Sequence, residues 1–111
     1  MAIKPLVWVG TSLARVRAFP DDARRAAGYQ LYRVQTGSEP EDWKPMRSVG
    51  TGVVEIRVHE GGEFRVLYVA KLGEAIYVLH GFQKKSAQTR DADVDIARRN
   101  VAEVLRGRRE N

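Results

Sequence analysis

Residues 53–82, VVEIRVHEGGEFRVLYVAKLGEAIYVLHGF, decide the fold of this chain. Three segments of this stretch are rich in β-branched and aromatic residues and are predicted to be strands: Val53 to His59, Phe64 to Lys71 and Ala75 to Phe82. Gly61-Gly62 and Leu72-Gly73-Glu74 separate them and are typical of tight turns. Strands joined by turns this short must run antiparallel, so the stretch predicts a three-stranded antiparallel meander.

The residues before the meander predict one strand, two helices and an edge segment. Ile3 to Val9 has strand composition. Thr11 or Ser12 is suited to cap a short helix that runs toward Ala18. A second helix is predicted to begin near Pro20, where two acidic residues follow, and to stop at Gly37. Trp43 to Arg47 contains a proline and is predicted to be a short irregular or edge strand.

The residues after the meander predict a final helix from Asp91 to Arg106, capped by Thr89 or Asp91. Gly107 is expected to end it, which leaves 108–111 as a frayed tail. The order β, α, α, three or four strands, α predicts a single α+β domain over residues 1–111, in which the helices pack on one antiparallel sheet.

Composition favours a polyanionic partner. Nineteen Lys and Arg against fourteen Asp and Glu give a net charge of +5, and fourteen of those cations are Arg, which contacts phosphate in bidentate fashion. The chain has no cysteine, which excludes disulfides and thiolate chemistry. No segment has the length of a membrane helix or the pattern of a signal peptide, so a cytoplasmic protein without a membrane partner is expected.

Strand periodicity separates the charged residues from the apolar ones. It places Val54, Ile56 and Val58 on one face of their strand, and Glu55, Arg57 and His59 on the other. Arg65 lies in a strand that is apolar on both faces, where a buried guanidinium needs a partner or an anionic ligand. Glu55 can pair with Arg57 or with Arg65, but it is not expected to neutralise both. The sequence therefore indicates an anion-binding role for Arg65.

Other candidates have strong structural explanations. Lys84 and Lys85 follow the last strand, where a solvated strand end is the better explanation for them taken alone. His80 lies in an apolar run, which is more typical of a core histidine. Four further residues are candidate RNA contacts: Lys44, Arg47, Tyr68 and Phe82. Two histidines without an acidic spacing motif predict no metal site.

The ordered motifs of the chain resemble the phage-derived branch of the RelE/HigB-like toxins of type II toxin–antitoxin modules. The resemblance covers nearly the whole chain. It is carried by Val9-Gly10-Thr11-Ser12, Phe19-Pro20, Gly28-Tyr29-x-Leu31, Trp43-Lys44-Pro45-Met46, Gly50-x-Gly52-Val53-x-Glu55-Ile56-Arg57, Phe64-Arg65-Val66-x-Tyr68, Val78-Leu79-His80-x-Phe82-x-Lys84-Lys85 and Asp95-Ile96-Ala97.

The resemblance implies a RelE/ParE-like fold and a ribosome-dependent endoribonuclease that cleaves mRNA without a cofactor. It implies an antitoxin partner, commonly a helix-turn-helix protein, besides the ribosome and mRNA. In such a reaction the ribose 2′-OH attacks its own 3′-phosphate, and cations stabilise the charge that develops. Arg65 is the first candidate for this role and Arg57 the second. Lys84, Lys85 and His80 are candidates for proton transfer, with the acid and the base unassigned.

Two alternatives remain open at this level. Relatives on the same fold inhibit a host protein such as gyrase without cleaving RNA, and a plain RNA-binding domain would bind RNA without breaking it. The resemblance also has a gap. Some members of the superfamily carry a catalytic Tyr or His shortly after the last strand, and residues 86–90 here contain neither.

Overall fold

The computed structural model describes residues 3–87 and 90–110, without the side chain of residue 110. Within these residues the elements are β1 (Leu6–Trp8), α1 (Ser12–Arg17), α2 (Asp21–Gln35), β2 (Trp43–Pro45), β3 (Val53–His59), β4 (Glu63–Val69), β5 (Ile76–Gln83) and α3 (Asp91–Glu110). The α+β class and the predicted order of elements are confirmed.

The five strands form one sheet in the order β1-β5-β4-β3-β2. Strands β2 to β5 are antiparallel, as predicted for the meander. β1 joins the other edge of the sheet as a parallel neighbour of β5, so the sheet is mixed. A parallel neighbour requires a long connection, and α1 and α2 lie within the connection that follows β1.

The first face of the sheet is covered by α1 and α2. Their apolar side chains are buried against the sheet together with residues of β3, β4 and β5. This core comprises Val16, Phe19, Ala23, Ala27, Leu31, Val34, Ile56, Val58, Phe64, Val66, Tyr68, Ile76 and Val78. α1 approaches β5 closely at Gly81, where an added Cβ would lie 2.7 Å from Val16 Cγ2. Glycine is therefore required there by packing.

The second face is covered in part by α3 and by the loop after β2. This core comprises Val9, Met46, Val49, Val53, Leu67, Val69, Leu79, Phe82, Ala97 and Val101. Asn100 of α3 donates a hydrogen bond from Nδ2 to Leu79 O at 2.8 Å. No helix of the described chain is long and apolar enough to cross a membrane.

The helix ends differ from the predictions in three places. Gly107 does not end α3, and residues 108 and 109 are helical rather than frayed, because Arg108 Nε bonds Glu74 Oε2 at 2.7 Å and anchors the last turns. Thr11 makes no side-chain cap to α1; its hydroxyl accepts from Arg15 instead. Asp91 is the first residue of α3, while the proposed cap Thr89 and the terminal Asn111 lie outside the described residues.

β1 is shorter than predicted, because only Leu6–Trp8 pairs with β5. The backbone N–H of Lys4 bonds Gln35 O of α2 at 3.1 Å, so the chain before β1 is engaged with the helix. The predicted end of α2 is confirmed: Gly37 follows the helix with φ +94°, a conformation that favours glycine.

Gly28 is an exposed glycine inside α2, and a Cβ added there meets nothing within 4 Å. We expect Gly28→Ala to raise the free energy of unfolding by about 1 kcal/mol, because alanine loses less backbone entropy in a helix. Gly81→Ala is the matched control and should lower it by about 1–3 kcal/mol through overpacking against Val16. Urea unfolding followed by circular dichroism measures both. A Gly28→Ala chain no more stable than wild type would contradict this.

Candidate functional site

Charged side chains gather at one end of the second sheet face, where β2, β3 and β4 lie side by side. Lys44 is the cross-strand partner of Glu55, and Arg57 is the partner of Arg65. Directly opposite residues of antiparallel strands share a face, and strand alternation adds His59 to the same face. The alternation predicted for β3 is thereby confirmed.

Glu55 is the fully buried centre of this group. Its Oε1 lies 3.7 Å from Arg65 Nε, 3.9 Å from Arg57 Nε and 3.8 Å from Lys44 Nζ. Neither carboxylate oxygen has a hydrogen-bond partner within the described residues, so the attraction is one of charge at ion-pair distance. Arg57 and Arg65 face each other directly, an arrangement in which like charges repel. The carboxylate between them offsets that repulsion.

His59 has a carboxylate at each imidazole nitrogen. Asp42 Oδ2 lies 2.6 Å from Nε2, and both oxygens of Glu63 lie 2.8 Å from Nδ1. Only the imidazolium form has an N–H at both nitrogens and satisfies both carboxylates. The hydrogen bonds to Asp42 and Glu63 raise the pKa of His59 above its ordinary value. The same contact lowers the pKa of Glu63.

Each of these two carboxylates also reaches an arginine. Asp42 Oδ1 lies 3.8 Å from Arg57 Nη1, and Glu63 Oε1 accepts from Arg65 Nη1 at 3.2 Å. Because Glu55 joins the two arginines, six side chains form a closed circuit of alternating charge. We call it the charged ring; its members in order are Arg57, Asp42, His59, Glu63, Arg65 and Glu55.

Glu55 was expected to pair with Arg57 or with Arg65 but not to neutralise both; it lies at ion-pair distance from both, and Asp42 and Glu63 supply the further negative charge. Arg65 contacts Glu55 and Glu63, and its Nη1 also donates to Phe64 O at 3.0 Å. Its side chain is only 6% exposed. The burial of Arg65 is thus explained by partners within the chain, and it needs no external anion.

Arg57 and Lys44 are the accessible cations of this region. Their side chains are 35% and 39% exposed, and each lies at ion-pair distance from the buried Glu55. Lys84 follows β5 directly, and its backbone N–H donates to Glu63 O at 2.7 Å, which places it beside the charged ring. Lys84 is half-buried and Lys85 is exposed. The structure therefore brings the predicted cations Lys44, Arg57, Arg65 and Lys84 to one region.

His80 is fully buried beside the start of α3, opposite Leu67 on the second face, and is not a member of the charged ring. Its Nε2 lies 2.8 Å from Asp93 Oδ1 at the start of α3, and its imidazole stacks on Phe82 with centroids 5.4 Å apart. Burial lowers the pKa of His80 below its ordinary value. This geometry fits the core histidine that the apolar strand indicated, and it leaves His80 unable to reach a substrate at the charged ring.

The predicted RNA contacts are divided by the fold. Phe82 lies opposite Arg65 on the second face and is largely buried. Tyr68 is on the first face in the core beneath the helices, where burial raises its pKa to about 12. Arg47 is exposed past the end of β2, where it lines a cleft of about 470 Å³ with Trp43. The structure does not bring Tyr68 to the charged ring.

Sequence reasoning missed Asp42, His59 and Glu63 as members of the site. A signal was present for two of them. A three-residue turn between β3 and β4 makes His59 and Glu63 direct cross-strand partners. Asp42 gave no such signal, because it precedes β2 and reaches His59 only through the pairing of β2 with β3.

No group of three or more histidine, aspartate or glutamate side chains is placed to hold a metal ion within residues 3–87 and 90–110. In the charged ring the imidazole of His59 stands between Asp42 and Glu63. The two carboxylates therefore bind opposite nitrogens and do not converge on one point.

Residues 14–102 match the family model described as phage derived protein Gp49-like (DUF891). The chain belongs to this family. The match includes every residue of the charged ring and most of α3. No curated protein matches the chain. The Gp49-like family is RelE-like and toxin-like, which supports the resemblance found in the sequence at the level of a toxin-like module.

The two histidines of the Gp49-like chain are expected to titrate on opposite sides of 6.5, their ordinary pKa. His59 should titrate above it because two carboxylates stabilise its imidazolium, and His80 below it because burial disfavours the charge. NMR of the histidine Cε1–H signals against pH measures both. Asp42→Asn should lower the pKa of His59, whereas Glu60→Gln in the neighbouring turn should change it little. A His59 pKa of 6.5 or less would refute the charged ring as described.

Removal of the Glu55 charge should destabilise the fold. Glu55→Gln leaves Arg57 and Arg65 opposed without an anion between them, and we expect a loss of about 2–3 kcal/mol in the free energy of unfolding, less than for a fully buried pair because Arg57 and Lys44 are partly exposed. Glu60→Gln is the control and should stay within about 0.5 kcal/mol of wild type. Urea unfolding at pH 7 compares the two, and equal stability of the two variants would contradict the role of Glu55.

Proposed function

We propose that this Gp49-like chain is the toxin of a type II toxin–antitoxin module and that it cleaves mRNA on the ribosome. Family membership supports the toxin-like module and a partner antitoxin. The observation that carries the nuclease proposal is the arginine pair: Arg57 and Arg65 are direct cross-strand partners on the sheet face, with Lys44 and Lys84 beside them. Such a group suits a phosphodiester better than a protein surface.

The two arginines have different roles in this proposal. Arg57 is 35% exposed and can contact a phosphate directly, whereas Arg65 is almost fully buried and bonded to Glu63 and Phe64 O. Arg57 is therefore the phosphate contact. Arg65 is a positioning residue that holds Glu55 and Glu63 in place. This reverses the order that the sequence alone favoured.

A phosphate reaches Arg57 by replacing a carboxylate of the chain. Asp42 lies 3.8 Å from Arg57, and both side chains are partly exposed. Exposed ion pairs of this kind contribute about 1 kcal/mol or less, so the exchange costs little. Lys44 and Lys84 on either side of the arginine pair then contact neighbouring phosphates of the RNA backbone.

The proposed reaction is attack of a ribose 2′-OH on its own 3′-phosphate. Negative charge develops on the phosphate oxygens in the transition state, and cations held in place beforehand stabilise it without reorganisation. Arg57 is held by the buried Glu55, which the phosphate does not displace, so its guanidinium is preorganised. Lys84 and Lys85 stay candidates for accepting the 2′-OH proton. The proposed partners are a helix-turn-helix antitoxin, the ribosome and mRNA.

Induction of the chain in bacterial cells tests this proposal. We expect wild type to arrest growth and to produce new mRNA 5′ ends, and Arg57→Ala to lower cleavage about 10²–10³-fold because a transition-state cation is lost. Arg25→Ala is the matched control, since Arg25 is a well-exposed arginine of α2 that pairs with Asp22. Mapping of RNA 5′ ends measures cleavage, and thermal unfolding verifies that Arg57→Ala is folded.

Full activity of folded Arg57→Ala would contradict the assignment of Arg57 as the phosphate contact. Growth arrest without new 5′ ends, together with inhibited gyrase in a supercoiling assay, would establish the non-catalytic alternative. RNA affinity that falls steeply with salt and leaves every strand intact would establish plain RNA binding.

A further inference from the structure

We propose that His59 donates the proton to the 5′-oxygen leaving group in this reaction. The proposal rests on the endoribonuclease function proposed above and assigns one of the two proton-transfer roles at the same site. No sequence motif indicated His59 for this role. The imidazole of His59 is 51% exposed, on the same strand and the same face as Arg57.

The position of His59 matches the requirement for a group that acts at the scissile phosphate. Two residues along one strand place same-face side chains about 6.6 Å apart. A phosphate bound at Arg57 therefore lies within reach of the His59 side chain. A cleft of about 180 Å³ opens beside these two residues.

The ionisation of His59 suits a proton donor. Lysine and arginine side chains ordinarily hold their protons too tightly near neutral pH, whereas an imidazolium releases one readily. His80, the other histidine, is buried against Asp93 and Phe82. The hydrogen bonds of His59 to Asp42 and Glu63 raise its pKa and so favour the protonated form, which is the form that donates.

The charged groups around His59 come from β3, from β4, from the segment before β2 and from the turn after β3. Asp42 and Glu63 bind its nitrogens, Arg57 and Arg65 lie behind those carboxylates, and the nearby cleft is lined also by Glu41, Glu60 and the neutral Gln30 of α2. Most of these charges are negative, so they favour the imidazolium. The two bound carboxylates also orient it.

The imidazolium can release one N–H to a substrate because each carboxylate has a second partner. Asp42 also contacts Arg57, and Glu63 also contacts Arg65. When a phosphate displaces Asp42 from Arg57, Asp42 stays bonded to the imidazole, and Glu63 turns to Arg65 and releases the other N–H. The charged ring thus provides both the orientation of His59 and a free N–H.

One bond forms and one bond breaks in the proposed step. The 2′-oxygen forms a bond to phosphorus and its proton passes to the general base, for which Lys84 and Lys85 are the candidates, while the bond from phosphorus to the 5′-oxygen breaks. The His59 proton passes to the departing 5′-oxygen. The products are a 2′,3′-cyclic phosphate, a 5′-hydroxyl and a neutral imidazole, which then regains a proton from water.

The test uses ribosome-bound mRNA in which sulfur replaces the 5′-bridging oxygen at a mapped cleavage site. A thiol has a pKa of about 8.5, so a thiolate leaves without a proton donor. We expect His59→Gln to slow cleavage of the oxygen-linked mRNA about 100-fold or more and to cleave the sulfur-linked mRNA within about tenfold of wild type. Glu103→Gln, which alters an exposed glutamate of α3 outside the site, should match wild type on both mRNAs.

Two results would overturn the assignment of His59 while leaving the nuclease function in place. One is His59→Gln activity on the oxygen-linked mRNA that equals wild type. The other is an equal loss on both mRNAs, which would make His59 a positioning residue. A wild-type chain that cleaves neither mRNA would instead overturn the proposed function, and the assignment with it.

The pH profile gives an independent readout on the same proteins. Wild-type kcat/KM should fall as pH rises through the pKa of His59, which lies above 6.5, because the donor must be protonated. This fall should be absent from His59→Gln, whose residual rate has no such donor. The same fall in both proteins would overturn the assignment.

Discussion

The carboxylate of Glu55 holds together the part of the sheet on which the proposed function depends. It is fully buried, and three cations from β2, β3 and β4 lie within 3.9 Å of one of its oxygens. Without it, Arg57 and Arg65 would face each other across neighbouring strands with no anion between them. The position of every other member of the charged ring follows from where these two guanidinium groups are held.

The balanced charges of the ring determine how RNA would bind in the proposed function. The chain has a net charge of +5, yet Arg57, Arg65 and protonated His59 are matched by Asp42, Glu55 and Glu63. A phosphate must therefore displace a carboxylate to bind, which favours a ligand held in position over loose attraction. In the proposed function the ribosome holds the mRNA in place, which makes such an exchange easier than in free solution.

The fold followed closely from local patterns, with identifiable exceptions. Strand alternation and two glycine turns were sufficient for the meander, because both depend on residues near each other in the chain. The parallel pairing of β1 with β5 was not readable, since it joins residues about seventy positions apart. α3 continues past Gly107 because Arg108 bonds Glu74. This contact between distant segments compensates for the low helix propensity of one glycine.

The features of the candidate site also divide into those that local patterns predicted and those that depend on distant contacts. The sequence by itself determined that Glu55, Arg57 and His59 share a face and that Arg65 is enclosed by apolar neighbours, because side-chain direction along a strand is a local property. Only the tertiary structure decided that Asp42 reaches His59, that His80 is buried while His59 is open, and that Arg65 is already paired with Glu55 and Glu63. Those outcomes depend on which strands become neighbours and in what register, and a contact between segments far apart in the chain leaves no periodic trace in either of them.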